Sequence, residues 1–179
     1  FRVDSVASAP LSGSMTALYD YSKRRLTTYI ESISVDAMPP APTADEPITL
    51  TFITPTRLVH NAQTSTPAEF HVLFRNVLRR VNFLNHFHCG GGLCHGAGEL
   101  VAEGEAVRAV ASHLQWQEWG RYSARQGQRV PMGGFVGEVT YEGDLARLWP
   151  WLALGGWVHV GKGSAFGLGR YQIEREGRH

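Results

Sequence analysis

The chain has 179 residues, 43% of them hydrophobic and 18% charged, with a net charge of +1. That length buries the core of one large domain, and that composition excludes a wholly disordered chain. Near-zero net charge leaves any nucleic-acid affinity to local patches, and the basic residues are fifteen Arg and two Lys, a choice that suits phosphate forks and base stacking and that a GC-rich genome would equally produce. No run of eighteen apolar residues and no tripartite leader is present, so neither a membrane span nor a signal peptide is expected and the chain reads as cytoplasmic.

In chain order, Phe1 to Val6 alternates like a strand already in progress, which reads as a piece entered part-way along a longer protein. Ser, Gly and Pro punctuate residues 8–14, and Leu26 to Val35 is strand-like through Tyr29, Ile30, Ile33 and Val35. The Met38-Pro39-Pro40-Ala41-Pro42 run, followed by Asp45, Glu46 and Pro47, breaks regular structure and predicts a linker. Residues 1–47 are therefore expected to be the tail of a preceding domain plus linker, and 48–179 a domain of its own.

Ile48, Leu50 and Phe52 alternate with Thr49 and Thr51 as a half-buried strand. Thr66-Pro67-Ala68-Glu69 offers a capping box with Pro at the first helical position. The stripe Phe70, Leu73, Phe74, Val77, Leu78, Val81 and Leu84 predicts a helix over 66–86. A short helix or turn is expected over 98–104 and a strand over 107–116. A further strand over 135–141 should place Phe135, Val139 and Tyr141 on one face. Asp144 should cap a short helix carrying Leu145, Leu148 and Leu152, kinked or ended by Pro150 and stopped at Gly155-Gly156. Strands are expected at 157–160 and 168–173. Strand, helix, strand, strand, helix, strand is the split βαβ order of an α+β, ferredoxin-like (RRM-like) sandwich, with a four-stranded antiparallel sheet and two helices.

Four segments carry candidate chemistry. Gly161, Lys162, Gly163, Ser164, Phe166, Gly167 and Gly169 form a glycine-rich loop with one cation, whose backbone could approach a phosphate or merely close tight turns. It is no P-loop, because Gly163 stands where Ser or Thr should reach magnesium. Arg121, Tyr122, Arg125 and Gln126, beside Trp116 and Trp119, interleave aromatics with cations in a stretch free of acid from Arg121 to Gly137, as single-stranded RNA requires. Alternatively, the two tryptophans are core. Arg75, Arg79 and Arg80 lie off the helical stripe. His86, His88, Cys89, Cys94 and His95 collect five possible zinc ligands, but three consecutive glycines make a floppy chelate, and a loop with reduced thiols is the simpler reading. No nucleophile elbow or paired-carboxylate spacing occurs.

Thr54-Pro55-Thr56-Arg57-Leu58, the Arg121 to Gln126 segment, Gly133-Gly134-Phe135-Val136-Gly137 and His159 through Gly169 together resemble the carboxy-terminal domain of the CRISPR repeat-RNA-processing endoribonucleases of the RAMP superfamily, over about residues 48–174. The resemblance implies two tandem ferredoxin-like domains, of which this chain holds the second, with the glycine loop serving RNA binding and packing between domains. It implies metal-independent cleavage of precursor RNA by 2′-hydroxyl attack, with no cofactor. CRISPR repeat RNA, the missing amino-terminal domain and CRISPR effector proteins are the implied partners. The family's catalytic histidine belongs to the amino-terminal domain, so no residue here inherits a catalytic role. A non-catalytic RNA-binding or interaction module, or a small zinc-binding domain, are the alternatives.

Overall fold

The computed structural model describes residues 5–8, 16–26, 38, 40–44, 46–123 and 127–175. The chain divides into two compact units, Phe1–Pro39 and Pro40–His179. In the first, β1 (Ser5–Ser8), β2 (Thr16–Asp20) and β3 (Arg25–Leu26) form an antiparallel sheet in that order. Asp20 closes the β2–β3 turn, its Oδ1 accepting from the Ser22 hydroxyl at 2.6 Å, and this bond holds its carboxyl below the usual range. Most of the strand expected over 26–35 lies outside the described residues.

The second unit contains β4 (Ile48–Thr56), a β5 (Leu58–His60) and β6 (Gln63–Ser65) hairpin, α1 (Phe70–His88) and α2 (Ala97–Glu103). These are followed by β7 (Arg108–Gln117), a β8 (Gly120–Ser123) and β9 (Gln128–Pro131) hairpin, β10 (Gly134–Glu142), α3 (Trp149–Val158) and β11 (Tyr171–Arg175). The main sheet runs β11-β4-β10-β7 with every neighbour antiparallel, so its strands stand in the order fourth, first, third, second. That is the ferredoxin-like sandwich, with α2 and two small hairpins added.

Period-two alternation sends Ile48, Leu50 and Phe52 of β4, Val139 and Tyr141 of β10 and Tyr171 of β11 into the core. They meet Phe70, Leu73, Phe74 and Val77 of α1 and Leu152 of α3, all buried. Val81 packs only partly buried at the edge of this core. Several local expectations change. The helix begins at Phe70, with Glu69 as N-cap and no side-chain cap; Thr66 instead accepts from the Ala68 amide at 3.2 Å, closing a turn ahead of it. Pro150 does not interrupt α3 but sits in its first turn, where a missing N–H costs nothing. Asp144 caps the preceding turn through the Ala146 amide at 2.9 Å.

Gly155 and Gly156 do not stop α3, which runs through them to Val158, so residues 157–158 are helix and not strand. A Cβ on Gly155 would collide with the Tyr171 hydroxyl and lie 2.8 Å from Val77. The glycine pair thus lets α3 approach β11 and α1, and the Tyr171 hydroxyl donates to the Leu152 carbonyl at 2.5 Å inside that contact. The Tyr141 hydroxyl donates to the Pro67 carbonyl in the same buried layer.

Desolvation raises both phenols above their ordinary value near 10, with mutual repulsion adding to Tyr171. A group held protonated more firmly when folded contributes stability that is complete below the unfolded value and is lost as pH rises past it. The urea midpoint is therefore expected to hold up to about pH 10 and fall steeply above it, less steeply in Tyr171→Phe; equal alkaline slopes in the two proteins would contradict this account.

Candidate nucleic-acid interface

The C-terminal end of β4 organises the candidate site. Gly169 donates its amide to the Pro55 carbonyl at 3.1 Å, and Val160 donates to the Gly169 carbonyl at 2.9 Å. Lys162 donates its amide to the Arg57 carbonyl at 2.9 Å. The Thr54 hydroxyl donates to the Gly167 carbonyl at 3.0 Å and accepts from the Arg170 amide at 2.9 Å. The glycine loop is thereby stitched to residues 54–57. On the other side of the same turn, a Cβ on Gly134 would stand 2.6 Å from the Thr56 nitrogen, so the strand that follows the β8–β9 hairpin abuts the same backbone. The glycine loop and the aromatic, cationic hairpin leave the sheet at one end.

Steric demand explains most of the loop's glycines. A Cβ on Gly161 would lie 2.5 Å from the Arg57 carbonyl oxygen, one on Gly163 2.8 Å from Leu168, and one on Gly169 would overlap the Val160 carbonyl. Gly167 faces open space and is required only for its φ of +82°. The loop's own turns are closed by Phe166 and Leu168 amides on the Gly163 carbonyl. What it offers to a partner is its exposed tip, Lys162, Ala165 and Phe166, the last 55% exposed.

Arg57, Arg80, His159 and Arg170 join Lys162 at this junction. Arg80 reaches across from α1, its Nε donating to the Val158 carbonyl at 3.3 Å, and His159 Nδ1 lies 3.1 Å from the Leu168 carbonyl. Residues 47–68, 70–98, 119–137 and 145–173, which build most of this end and the helix beside it, contain no Asp or Glu, while Glu118 stands at the β7–β8 turn. This segregation, in a chain of net charge +1, is a sequence signal that motif reading overlooks, and it brings Arg57 and Arg170 into the site.

The other candidates fall in three places. Trp116, Trp119 and Tyr122 are exposed by 41%, 47% and 66%, so the tryptophans are not core. Trp116 packs edge-on to Phe135 and donates to Glu118 at 2.7 Å. Arg121 lies in β8, while Arg125 and Gln126 are outside the described residues. Arg75 and Arg79 stand on α1 and line a groove of about 590 Å³ against α2, floored by Leu78 and Val101. The sheet face away from the helices carries the rows Glu174, Thr49, Thr140 and Gln172, Thr51, Glu138, His113. These polar and acidic rows, whose one ring is the His113 imidazole, make a poor stacking platform beside Glu138 and Glu174, and the cationic and aromatic candidates stand at the end of the sheet and not on its open face. Among the described residues no group of three or more His, Cys, Asp or Glu is placed to hold a metal ion, so the 86–95 cluster does not assemble a site there. No described helix is long and apolar enough to cross a membrane.

Because Gly134 has no room for a side chain, Gly134→Ala is expected to destabilise the fold by about 1–3 kcal/mol, whereas Gly98→Ala, with open space around it, should be neutral or stabilising. Chemical denaturation of the two variants checks this.

Among curated proteins none matches the chain closely enough to inform this comparison. Among solved structures, a Cas6 product complex aligns with 25% identity and a TM-score of 0.51, over 78% of this chain and 54% of that one. Thermus thermophilus Cas6 aligns with 18% identity and a TM-score of 0.55, over 73% and 54%. A partial Cas6-RT-Cas1–Cas2 complex aligns with 17% identity and a TM-score of 0.56, over 75% of this chain and 23% of that one. The chain thus spans about half the length of the first Cas6 structures it matches. Residues 50–171, bounded by β4 and the first residue of β11, match the CRISPR-associated endoribonuclease Cas6 family, and the chain belongs to that family.

Proposed function

We propose that this chain is the RNA-holding, carboxy-terminal part of an endoribonuclease that cuts CRISPR precursor RNA within its repeats. Residues 1–47 would be the tail of a preceding ferredoxin-like domain with its linker. The observation that carries the reading is the cation-rich end of the sheet, where the glycine loop and the aromatic hairpin of a Cas6-family fold project together and Glu118 is paired with the Trp116 indole. Lys162, Arg121 and Arg125 supply phosphate contacts, Tyr122 and Phe166 offer rings to unstacked bases, and Gln126 and Ser164 offer polar edges. Gly161, Gly163, Gly167 and Gly169 hold the loop in the conformation that presents them. Arg75 and Arg79 extend the path along α1.

The reaction in this reading is metal-independent. A 2′-hydroxyl attacks the adjacent phosphate, its proton passes to a general base, and the 5′-oxygen leaves with a proton from a general acid, giving a cyclic phosphate and a 5′-hydroxyl. That set of groups converges on one phosphate only when the preceding domain is present; this chain supplies cationic stabilisation and position. Repeat RNA in the cytoplasm, the preceding domain and CRISPR effector proteins are the partners.

Two outcomes test this. Replacing Lys162, Arg121 and Arg125 by Ala should weaken repeat-RNA binding and lower the slope of log K against log salt by about 0.7 for each phosphate that is no longer neutralised; an unchanged slope and affinity would refute the surface. The chain alone should bind repeat RNA in EDTA without cutting it, while the protein with its preceding domain cuts at a fixed position. Cutting by the chain alone at that position would place the catalytic groups here.

A further inference from the structure

Every described residue of the 155–169 stretch that adopts a left-handed φ is glycine, at +82°, +81°, +82° and +78° for Gly161, Gly163, Gly167 and Gly169, except one. His159, the C-cap of α3, has φ 63° and ψ 161°, a region open essentially to glycine alone. Holding a β-carbon there strains the backbone. In a segment that supplies glycine at every comparable position, the imidazole is the one side chain held on such a backbone.

The ring is half-buried and pinned. Nδ1 lies 3.1 Å from the Leu168 carbonyl. A carbonyl only accepts, so Nδ1 carries the proton and the neutral ring keeps its free lone pair on Nε2. Protonation turns Nε2 into a second, charged donor without disturbing the first bond. The charged groups on the segments bonded around the ring are all cations: Arg80 from α1, Arg57 at the end of β4, Lys162 in the loop and Arg170 before β11. Helix α3 itself contributes no charged side chain, and residues 47–68 and 145–173 contain no carboxylate. No anion of these segments is placed there to neutralise an imidazolium.

We propose that His159 is a phosphodiester ligand, donating through Nε2 to an RNA phosphate that lies over the glycine loop and supplies the missing counter-charge. The inference rests on the RNA-holding reading above. Because the bound phosphate stabilises the charged ring, RNA and proton bind with positive coupling. If RNA raises the affinity of the ring for its proton tenfold, RNA affinity below both titrations exceeds that above both by the same factor, about tenfold.

The test uses the full chain and a labelled oligouridylate, with binding measured at constant salt between about pH 5.5 and pH 8, the range in which histidine titrates. His159→Asn keeps a donor near the position of Nδ1 and tolerates positive φ, yet cannot titrate. His159→Gly removes both the ring and the strain. The wild type should bind about tenfold more tightly at the acid end. Both variants should lose most of that gain, and His159→Gly should unfold at higher urea than the wild type. The His159 imidazole signal in NMR should titrate at higher pH with RNA than without. A His159→Asn variant that retains the full acid gain overturns the proposal, and if Lys162→Ala still weakens binding in that experiment, the RNA surface itself stands. Absence of binding by the wild type at every pH overturns both.

Discussion

One short piece of backbone, Pro55-Thr56-Arg57 at the end of β4, carries contacts from both sides, and both depend on the absence of a β-carbon. Gly134 abuts it from the β10 side, while Gly169 and Gly161 close on it or its bonded neighbours from the loop. Backbone carbonyls and amides meet there directly, so the positions of the loop and of the β8–β9 hairpin are set by peptide geometry and not by side-chain rotamers. A loop held in this way is ordered before any ligand arrives. The ordering entropy that a flexible glycine-rich segment would lose on binding has already been lost on folding. The same glycines thus serve the fold and, in the RNA-holding proposal, the ligand surface. They do not need to touch a phosphate; they fix where Lys162, Phe166 and His159 stand.

The layers of the fold were legible because they rest on periodicity. The alternation of Ile48, Leu50 and Phe52 and the stripe from Phe70 to Leu78 each record which side of an element is buried, and burial is decided locally. Glycine is read less well, since its two uses leave the same letter. Gly155-Gly156 has the sequence of a helix stop, but its reason is Tyr171, far along the chain, whose hydroxyl occupies the space a side chain would need. Pro150 is ambiguous in the same way, because the same residue ends one helix and opens another according to where the first turn falls. Thr66 shows the limit of the capping box: its hydroxyl is satisfied in a turn ahead of the helix, and Glu69 takes the cap position.

The site was legible in part. The glycine loop and the aromatic, cationic stretch announce themselves by composition, and the loop's tip is exposed as a ligand surface must be. Arg57 and Arg170 carry no motif, and only the bonds of Pro55 to Gly169 and Arg57 to Lys162 bring them to the loop. Their sequence signature is negative: long acid-free segments, distant in the chain, that fold to one end. Fold order alone would point to the open sheet face, as in other single-strand binders. Glu138 and Glu174 on that face argue against it, because two carboxylates in rows that hold no arginine repel a phosphate backbone.

Charge segregation also bears on what a chain with only half its family's length can do. Cations that converge on one end with few carboxylates among them have few internal partners to satisfy them, so they remain available to an external anion and each is only weakly held. Such a surface binds polyanions with a strong salt dependence and little sequence discrimination. Specificity for a place in a repeat must then come from groups that read bases or shape, and the cutting step from groups that move protons. His159 is the exception within the surface, because its ring is oriented by a bond to Leu168 and held at a strained backbone position. A ligand fixed in direction selects where along the backbone a phosphate can sit, whereas a lysine on a four-carbon stem accepts many positions. In the RNA-holding proposal, register on the RNA is thus the property that these residues contribute.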